Sequence, residues 1–158
     1  MAERIDYLDD LTAPKANSVV PSANVIVVND QGEILLIRRT DNGNWAVPGG
    51  GMDLGESITQ TAVRETQEET GITCEVTGLV GIYTSPRHVI LYTSNGEVRQ
   101  EFSIVFTARP VSGRLRASSE SAEPQWVSPV VIPGLQMHPS MRQRIQHYLD
   151  KRSEPYPC

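Results

Sequence analysis

Cysteine is scarce in this chain, and the two that occur exclude a disulfide framework. Cys74 sits in a β-rich run and Cys158 is the last of 158 residues, so there is no Cys-x-x-Cys pair. Two unpaired thiols suit a reducing compartment. Long apolar runs are also missing. Nothing approaches the roughly 18 residues that a membrane span needs, and Met1 to Asp10 is acidic, without the apolar stretch of a signal peptide. The expectation is a soluble, cytoplasmic protein with no membrane partner. Positive charge falls short too: 14 Lys and Arg face 19 Asp and Glu, for a net charge of −5. With no basic, aromatic-lined stripe, nucleic acid is not the expected partner. The glycine-rich stretch is not followed by Gly-Lys-Ser/Thr, which excludes a P-loop, and no Asp-rich loop has EF-hand spacing.

What is present describes one ordinary globular domain. Hydrophobic residues make up 39% and charged residues 21%, and a chain of this length buries a core without disulfides or structural metals. Asn24 to Val28 is a β-branched run, Asn29-Asp30-Gln31-Gly32 is turn chemistry, and Glu33 to Arg39 reads as the return strand of a hairpin. A helix is expected from about Glu56 to Thr70, stopped by Gly71. Strands follow over 72–83, 88–93, 97–109 and 124–127, with Asn95-Gly96 turning the second hairpin. Gly113 to Ala117 is a further candidate strand. Pro139-Ser140-Met141 opens a last helix, with Ser140 and Gln143 as its capping box. The pattern predicts an α+β fold with helices packed on a mixed sheet. Residues 1–20 form an N-terminal arm, 21–150 the domain and 151–158 a tail.

The helix after the glycines carries the chemistry. At about 100° per residue, Glu65, Glu68 and Glu69 fall within an arc of about 100° on neighbouring turns. Ile58, Ala62, Val63 and Thr66 occupy the adjoining sector, so the carboxylates line the edge of the buried face. Like charges at this spacing repel, and Glu68 and Glu69 also meet the negative end of the helix dipole. Two local rules broken together point to a functional site. A hard divalent cation relieves both, since Mg²⁺ takes carboxylate and phosphate oxygens. A solvated acidic face with an Arg64–Glu68 pair is the competing reading. Gly49-Gly50-Gly51, preceded by Trp45-Ala46-Val47-Pro48, tips the balance, because three glycines allow a backbone to approach the carboxylate edge closely.

Gly50, Glu56 and the run Arg64-Glu65-Thr66-Gln67-Glu68-Glu69-Thr70-Gly71-Ile72 together resemble the Nudix box of the MutT-like hydrolases. One position departs from it: a large aliphatic residue usually follows Arg-Glu, and Thr66 stands here on the packing side. The resemblance covers residues 20–150. It implies a Nudix fold, a mixed sheet sandwiched between helices, and hydrolysis of a phosphoanhydride bond by water attack at phosphorus, dependent on Mg²⁺ or Mn²⁺. The implied substrate is a small nucleotide-like diphosphate: a nucleoside diphosphate joined to another moiety, or a modified nucleoside triphosphate. By the same resemblance Glu65, Glu68 and Glu69 are metal ligands, Glu56 and Arg64 brace the unit, and a carbonyl of Gly49 or Gly50 adds a ligand. A further carboxylate before a Trp is matched first by Glu120, then Glu123, then Glu101, with Trp126 as the landmark. Many members form homodimers, which leaves pairing open. The alternative is a Nudix-fold domain that senses a nucleotide without cutting it, but such domains usually lose box carboxylates.

Outside the box the readings are plainer. Arg38 and Arg39 end a strand near the loop, where guanidinium forks can clamp phosphate. Arg87, His88, Arg99 and Gln100 surround the second hairpin, with Arg99 the substrate-binding candidate. His88 alone is no metal signal, and His138 reads as a turn residue. Trp45, Trp126 and Tyr83 could stack a base, against core packing as the simpler role.

Overall fold

A computed structural model describes residues 4–158. Among the described residues, twelve strands and two α-helices run in the order β1 (Arg4–Leu8), β2 (Ser18–Val19), β3 (Ser22–Val27), β4 (Ile34–Arg39), β5 (Trp45–Ala46), β6 (Gly49–Gly51), α1 (Ile58–Thr70), β7 (Ile72–Tyr83), β8 (His88–Tyr92), β9 (Glu97–Gln100), β10 (Ser103–Gly113), β11 (Ser121–Val127), α2 (Pro139–Leu149) and β12 (Tyr156–Pro157). They form three sheets ordered β12-β7-β10-β3-β6, β11-β4-β5 and β1-β8-β9-β2. The largest is mixed: β10 runs parallel to β3 and antiparallel to β7. This is the α+β architecture that the sequence pattern implies. Among the described residues, no helix is long and apolar enough to cross a membrane.

Strand β3 explains the layering. Its side chains alternate between two cores, as strand geometry requires. Ala23, Val25 and Val27 meet Ala62 and Ile58 of α1, whereas Ile26 meets Ile145 and Met141 of α2. The two helices therefore cover opposite faces of the sheet.

The expected hairpin from β3 to β4 closes only at its base, where Val28 bridges Ile34. Beyond that the strands diverge into different sheets. Both edges of β3 are already occupied, by β10 and β6, so β4 has no edge to join and pairs with β11 and β5. The second hairpin forms as expected, with Tyr92 opposite Glu97, but its return arm breaks after Gln100 and β10 enters the large sheet. Gly113 ends β10, and no strand covers 114–117.

Residues 1–20 and 151–158, set apart from 21–150 in the sequence reading, both contribute strands. β1 pairs with β8, β2 with β9, and β12 runs beside β7.

Helix α1 begins one residue after Ser57, whose hydroxyl accepts from the Gln60 amide while Gln60 reaches back to the Ser57 amide. Gly71 ends it in the left-handed region at φ 80°. Thr66, the departure from the box pattern, is fully buried and donates to the Ala62 carbonyl, so its hydroxyl is satisfied within the helix. Helix α2 differs from expectation at its cap. His138, not Ser140, is the N-cap, and its Nδ1 accepts from the Ser140 amide. Pro139 has no N–H and takes the first helical position, which moves the cap one residue earlier than the Ser-x-x-Gln pattern suggested.

Candidate active site

Two glycines position the carboxylate helix. Gly50 lies so close to Glu65 that a Cβ there would be 2.5 Å from its carboxyl carbon. Gly49 packs on the neighbouring strand, where a Cβ would be 2.2 Å from the Ala23 carbonyl oxygen. Its amide donates to Glu69 Oε1 at 3.0 Å. The glycine run thus lets β6 lie flat between β3 and α1, with its backbone against two carboxylates.

Arg64 ties the rest together. Its Nε and Nη2 form a fork onto Glu56, at 3.0 and 2.7 Å. Nη1 donates to Glu65 at 2.9 Å and Glu68 at 3.3 Å, and Nη2 also donates to the Gly51 carbonyl at 3.0 Å. One guanidinium therefore joins the loop, the start of the helix and two of its carboxylates. Glu56 also accepts from the Asp53 amide and the Thr61 hydroxyl. These donors, Arg64 foremost, hold its carboxyl down at about 2.

The three helix carboxylates are not equivalent. The Glu68 side chain is 56% exposed, whereas that of Glu65 is 14% exposed and Glu69 as a residue only 6%. Burial pushes the Glu69 carboxyl up to about 8; Glu65 and Glu120 add to the rise, and the Gly49 amide and Arg39 oppose it. Burial raises Glu65 as well, against the pull of Arg64 and with Glu68 and Glu120 adding to the rise. Glu120 is therefore within electrostatic reach of both, whereas Glu123 turns to the edge and pairs with Arg38 at 3.6 Å. Behind the helix, the buried Ser121 hydroxyl donates to the Glu69 carbonyl, an acceptor in the last turn of α1.

Glu69 and the three glycines form one wall of a cleft. Arg39 and Arg99 also line it, each already paired: Arg39 with Asp41 at 2.7 Å, Arg99 with Glu97 at 2.9 Å and over the Tyr92 ring. Arg38, on the opposite side of the strand from Arg39, is absent from the lining, and its Nε donates to the Gly43 carbonyl. Trp45 borders the cleft and Trp126 packs against the α1-side core. Tyr83 is buried, with its hydroxyl 2.7 Å from His147 Nδ1. Glu101 is buried at the far end of the cleft, 3.7 Å from Arg144.

Apart from Glu101, the third-choice carboxylate, the sequence did not point to that far end. Arg4, Asp6, Asn24 and Arg144 line it, drawn from the N-terminal strand, the centre of the large sheet and the last helix. Arg144 is 2% exposed, its Nη1 donates to the Asn24 carboxamide, and its Nε has no hydrogen-bond partner among the described residues. The available signal was a polar residue in an otherwise apolar frame: Asn24 at the head of a β-branched run, and Arg144 beside the apolar face of α2.

Glu69 and the glycine run stand at one end of the cleft, with Glu65, Glu68 and Glu120 outside its lining, and Arg4, Asp6, Asn24, Glu101 and Arg144 stand at the other. A family model described as NUDIX domain matches residues 19–148. A MutT-like protein of Streptomyces ambofaciens is 39% identical over 120 residues, covering 76% of this chain and 70% of that one. A putative 8-oxo-dGTP diphosphatase of Bacillus subtilis is 35% identical over 127 residues, covering 80% of this chain and 77% of that one. Among solved structures, the MutT protein of Methanosarcina mazei superposes with a TM-score of 0.67 at 27% identity, over 92% of this chain and all of that one, a coverage of 100%.

Proposed function

Since this chain belongs to the Nudix family and is a hydrolase of phosphoanhydride bonds, we propose that Glu65, Glu68 and Glu69 hold its divalent cation, Mg²⁺ or Mn²⁺, beside the glycine run. The residues present fit such an ion. Glu65 and Glu69 are carboxyls taken out of water, both raised by burial, and a cation is what would favour their charged forms. A carbonyl of Gly49 or Gly50 and the Glu120 carboxylate complete an all-oxygen donor set of the kind Mg²⁺ takes. Bound there, the ion would neutralise phosphate charge and acidify a water.

The chain's own residues do the rest. Arg64 and Glu56 lock the loop onto the helix, so that Glu65 is held before substrate arrives. Glu68, on the exposed rim, and Glu120 are the candidates for the base that takes a proton from the attacking water. Arg39 and Arg99 face the cleft and offer guanidinium donors to phosphate oxygens. The substrate is a small nucleotide-like diphosphate, either a nucleoside diphosphate joined to another moiety or a modified nucleoside triphosphate. Similarity to a protein named for 8-oxo-dGTP supports the second. A cytoplasmic setting accords with two free thiols, Cys74 and Cys158.

The observation that carries the reading is the capture of Glu65 and Glu69 against Gly50 and Gly49. The test is phosphate or pyrophosphate release from a panel of diphosphate sugars, dinucleotides and oxidised triphosphates with Mg²⁺, set against Glu69→Gln. Turnover by the native chain and none by the variant is expected. Tight nucleotide binding with no turnover by either protein would favour a sensor.

A further inference from the structure

Away from the carboxylate helix, three ligand-bearing side chains converge from distant parts of the chain. Asp6 comes from β1, His88 from the start of β8, and His138 caps α2. One ligand atom from each lies within 4.8 Å of the other two. We propose that Asp6, His88 and His138 form a second metal site, for a nitrogen-preferring divalent ion of the Zn²⁺ type, clipping the N-terminal strand to the last helix.

One of the three ligand separations already matches a metal site, and the others, within 4.8 Å, would close on the ion. Ligands at about 2.0–2.1 Å from a tetrahedral Zn²⁺ are about 3.3 Å from one another. His88 Nε2 and Asp6 Oδ1 are already 3.0 Å apart. The two imidazoles stack with centroids 5.5 Å apart and planes 17° from parallel, so one ring must turn for both in-plane lone pairs to meet at one ion.

The groups around the imidazoles are of the kind that partner metal-binding histidines, a carboxylate and a hydroxyl. His138 Nδ1 accepts from the Ser140 amide and lies 2.7 Å from its hydroxyl, so a metal on Nε2 requires the ring to take the Nδ1–H tautomer and donate to that hydroxyl instead. His88 Nδ1 faces Glu101 at 3.8 Å. Asp6 is anchored by both Nε and Nη2 of Arg4, at 3.0 Å each.

Charge and donor type select the ion. The Asp6 and Glu101 carboxylates are offset by Arg4 and Arg144, so there is no surplus of negative oxygen to attract Mg²⁺ or Ca²⁺. Two imidazoles and one carboxylate suit Zn²⁺ and its nitrogen-seeking neighbours instead. Three protein ligands leave a fourth position for water. Asp6 and His138 line the same cleft as Glu69, so the clip would stiffen the cleft's far wall.

The test uses the full chain in a Glu65→Gln, Glu69→Gln background, which silences the carboxylate helix as a competing site. Co²⁺ and Zn²⁺ are titrated by visible absorption and calorimetry, and thermal melts are run alongside. His138→Asn is the main variant, because Asn also caps helices well, and His88→Gln is the second. The expected result is one equivalent of Co²⁺ with the intense visible bands of a tetrahedral site, and a Tm raised by Zn²⁺. Both should be lost in His138→Asn while the metal-free melt and far-UV spectrum stay native. Failure of the silenced protein to bind either ion overturns the proposal, as does binding that both His variants leave unchanged.

Discussion

Gly49 and Gly50 are adjacent, yet the structure predicts opposite failures when each becomes alanine. At Gly50 the new Cβ would sit 2.5 Å from the Glu65 carboxyl. Carbon contacts settle near 3.5 Å, so Glu65 must retreat by about 1 Å. It is the end of a flexible side chain, so the fold can absorb the move, but its bond to Arg64 at 2.9 Å must break or stretch. A displacement of about 1 Å at a reacting centre costs on the order of 10²-fold in rate. At Gly49 the clash is with backbone, 2.2 Å from the Ala23 carbonyl oxygen and 3.0 Å from the Asn24 Cα, where β6 pairs with β3 along the edge of the largest sheet. Neither atom can step aside alone, so the strain falls on the fold, at about 1–3 kcal/mol or more. Urea denaturation, with initial rates on the best substrate from the panel, separates the two. Gly50→Ala is expected to keep native stability and lose about two orders of magnitude in kcat/KM. Gly49→Ala is expected to lose stability first. Native activity in Gly50→Ala, or native stability in Gly49→Ala, would refute the argument.

Four further outcomes follow from the same contacts. Arg64→Ala frees Glu56, Glu65 and the Gly51 carbonyl together, so Mn²⁺ affinity should fall roughly 10- to 100-fold; Arg64→Lys should not restore it, because the fork onto Glu56 needs two nitrogens. The Glu56 carboxyl is held at about 2, below its ordinary 4.5, so its contribution to stability is complete above that ordinary value and disappears as pH falls through about 2. Melts between those two values should drop more steeply for the native chain than for Glu56→Gln. Glu69 has the opposite sign: its carboxyl is raised to about 8, so the metal-free protein should lose stability as pH rises from the ordinary carboxyl value through about 8. Glu69→Gln should escape that loss while being inactive, and a denaturation comparison at acid and alkaline pH without metal would show it. Ser121→Ala strands the buried Glu69 carbonyl and should cost about 1–3 kcal/mol in chemical denaturation.

Local signals were enough to locate the carboxylate helix. Ser57, Gln60 and Gly71 mark its ends through short-range hydrogen bonds and a left-handed glycine, and these depend only on neighbours in the chain. The angular clustering of Glu65, Glu68 and Glu69 follows from helix pitch alone. Their inequality did not. Glu68 is open and Glu69 buried because β6 and β11 cover one side of the helix end. Likewise Arg38 and Arg39 are chain neighbours, yet only Arg39 faces the cleft, as the alternation of a strand demands once its sheet is known.

Order along the chain decided where the helices start, which residues cluster on one face, and that the fold is built from α-helices on mixed β-sheet. All of those arise from interactions spanning a few residues, with periodicities that the side chains display directly. Apart from the β8–β9 hairpin, which strands pair was beyond its reach, as the parting of β3 and β4 shows, because edges are filled by segments tens of residues away. The same holds for the meeting of Asp6, His88 and His138 and for the depth of Arg144. Those placements belong to the packed molecule alone, since only long-range burial brings together groups that share no local pattern.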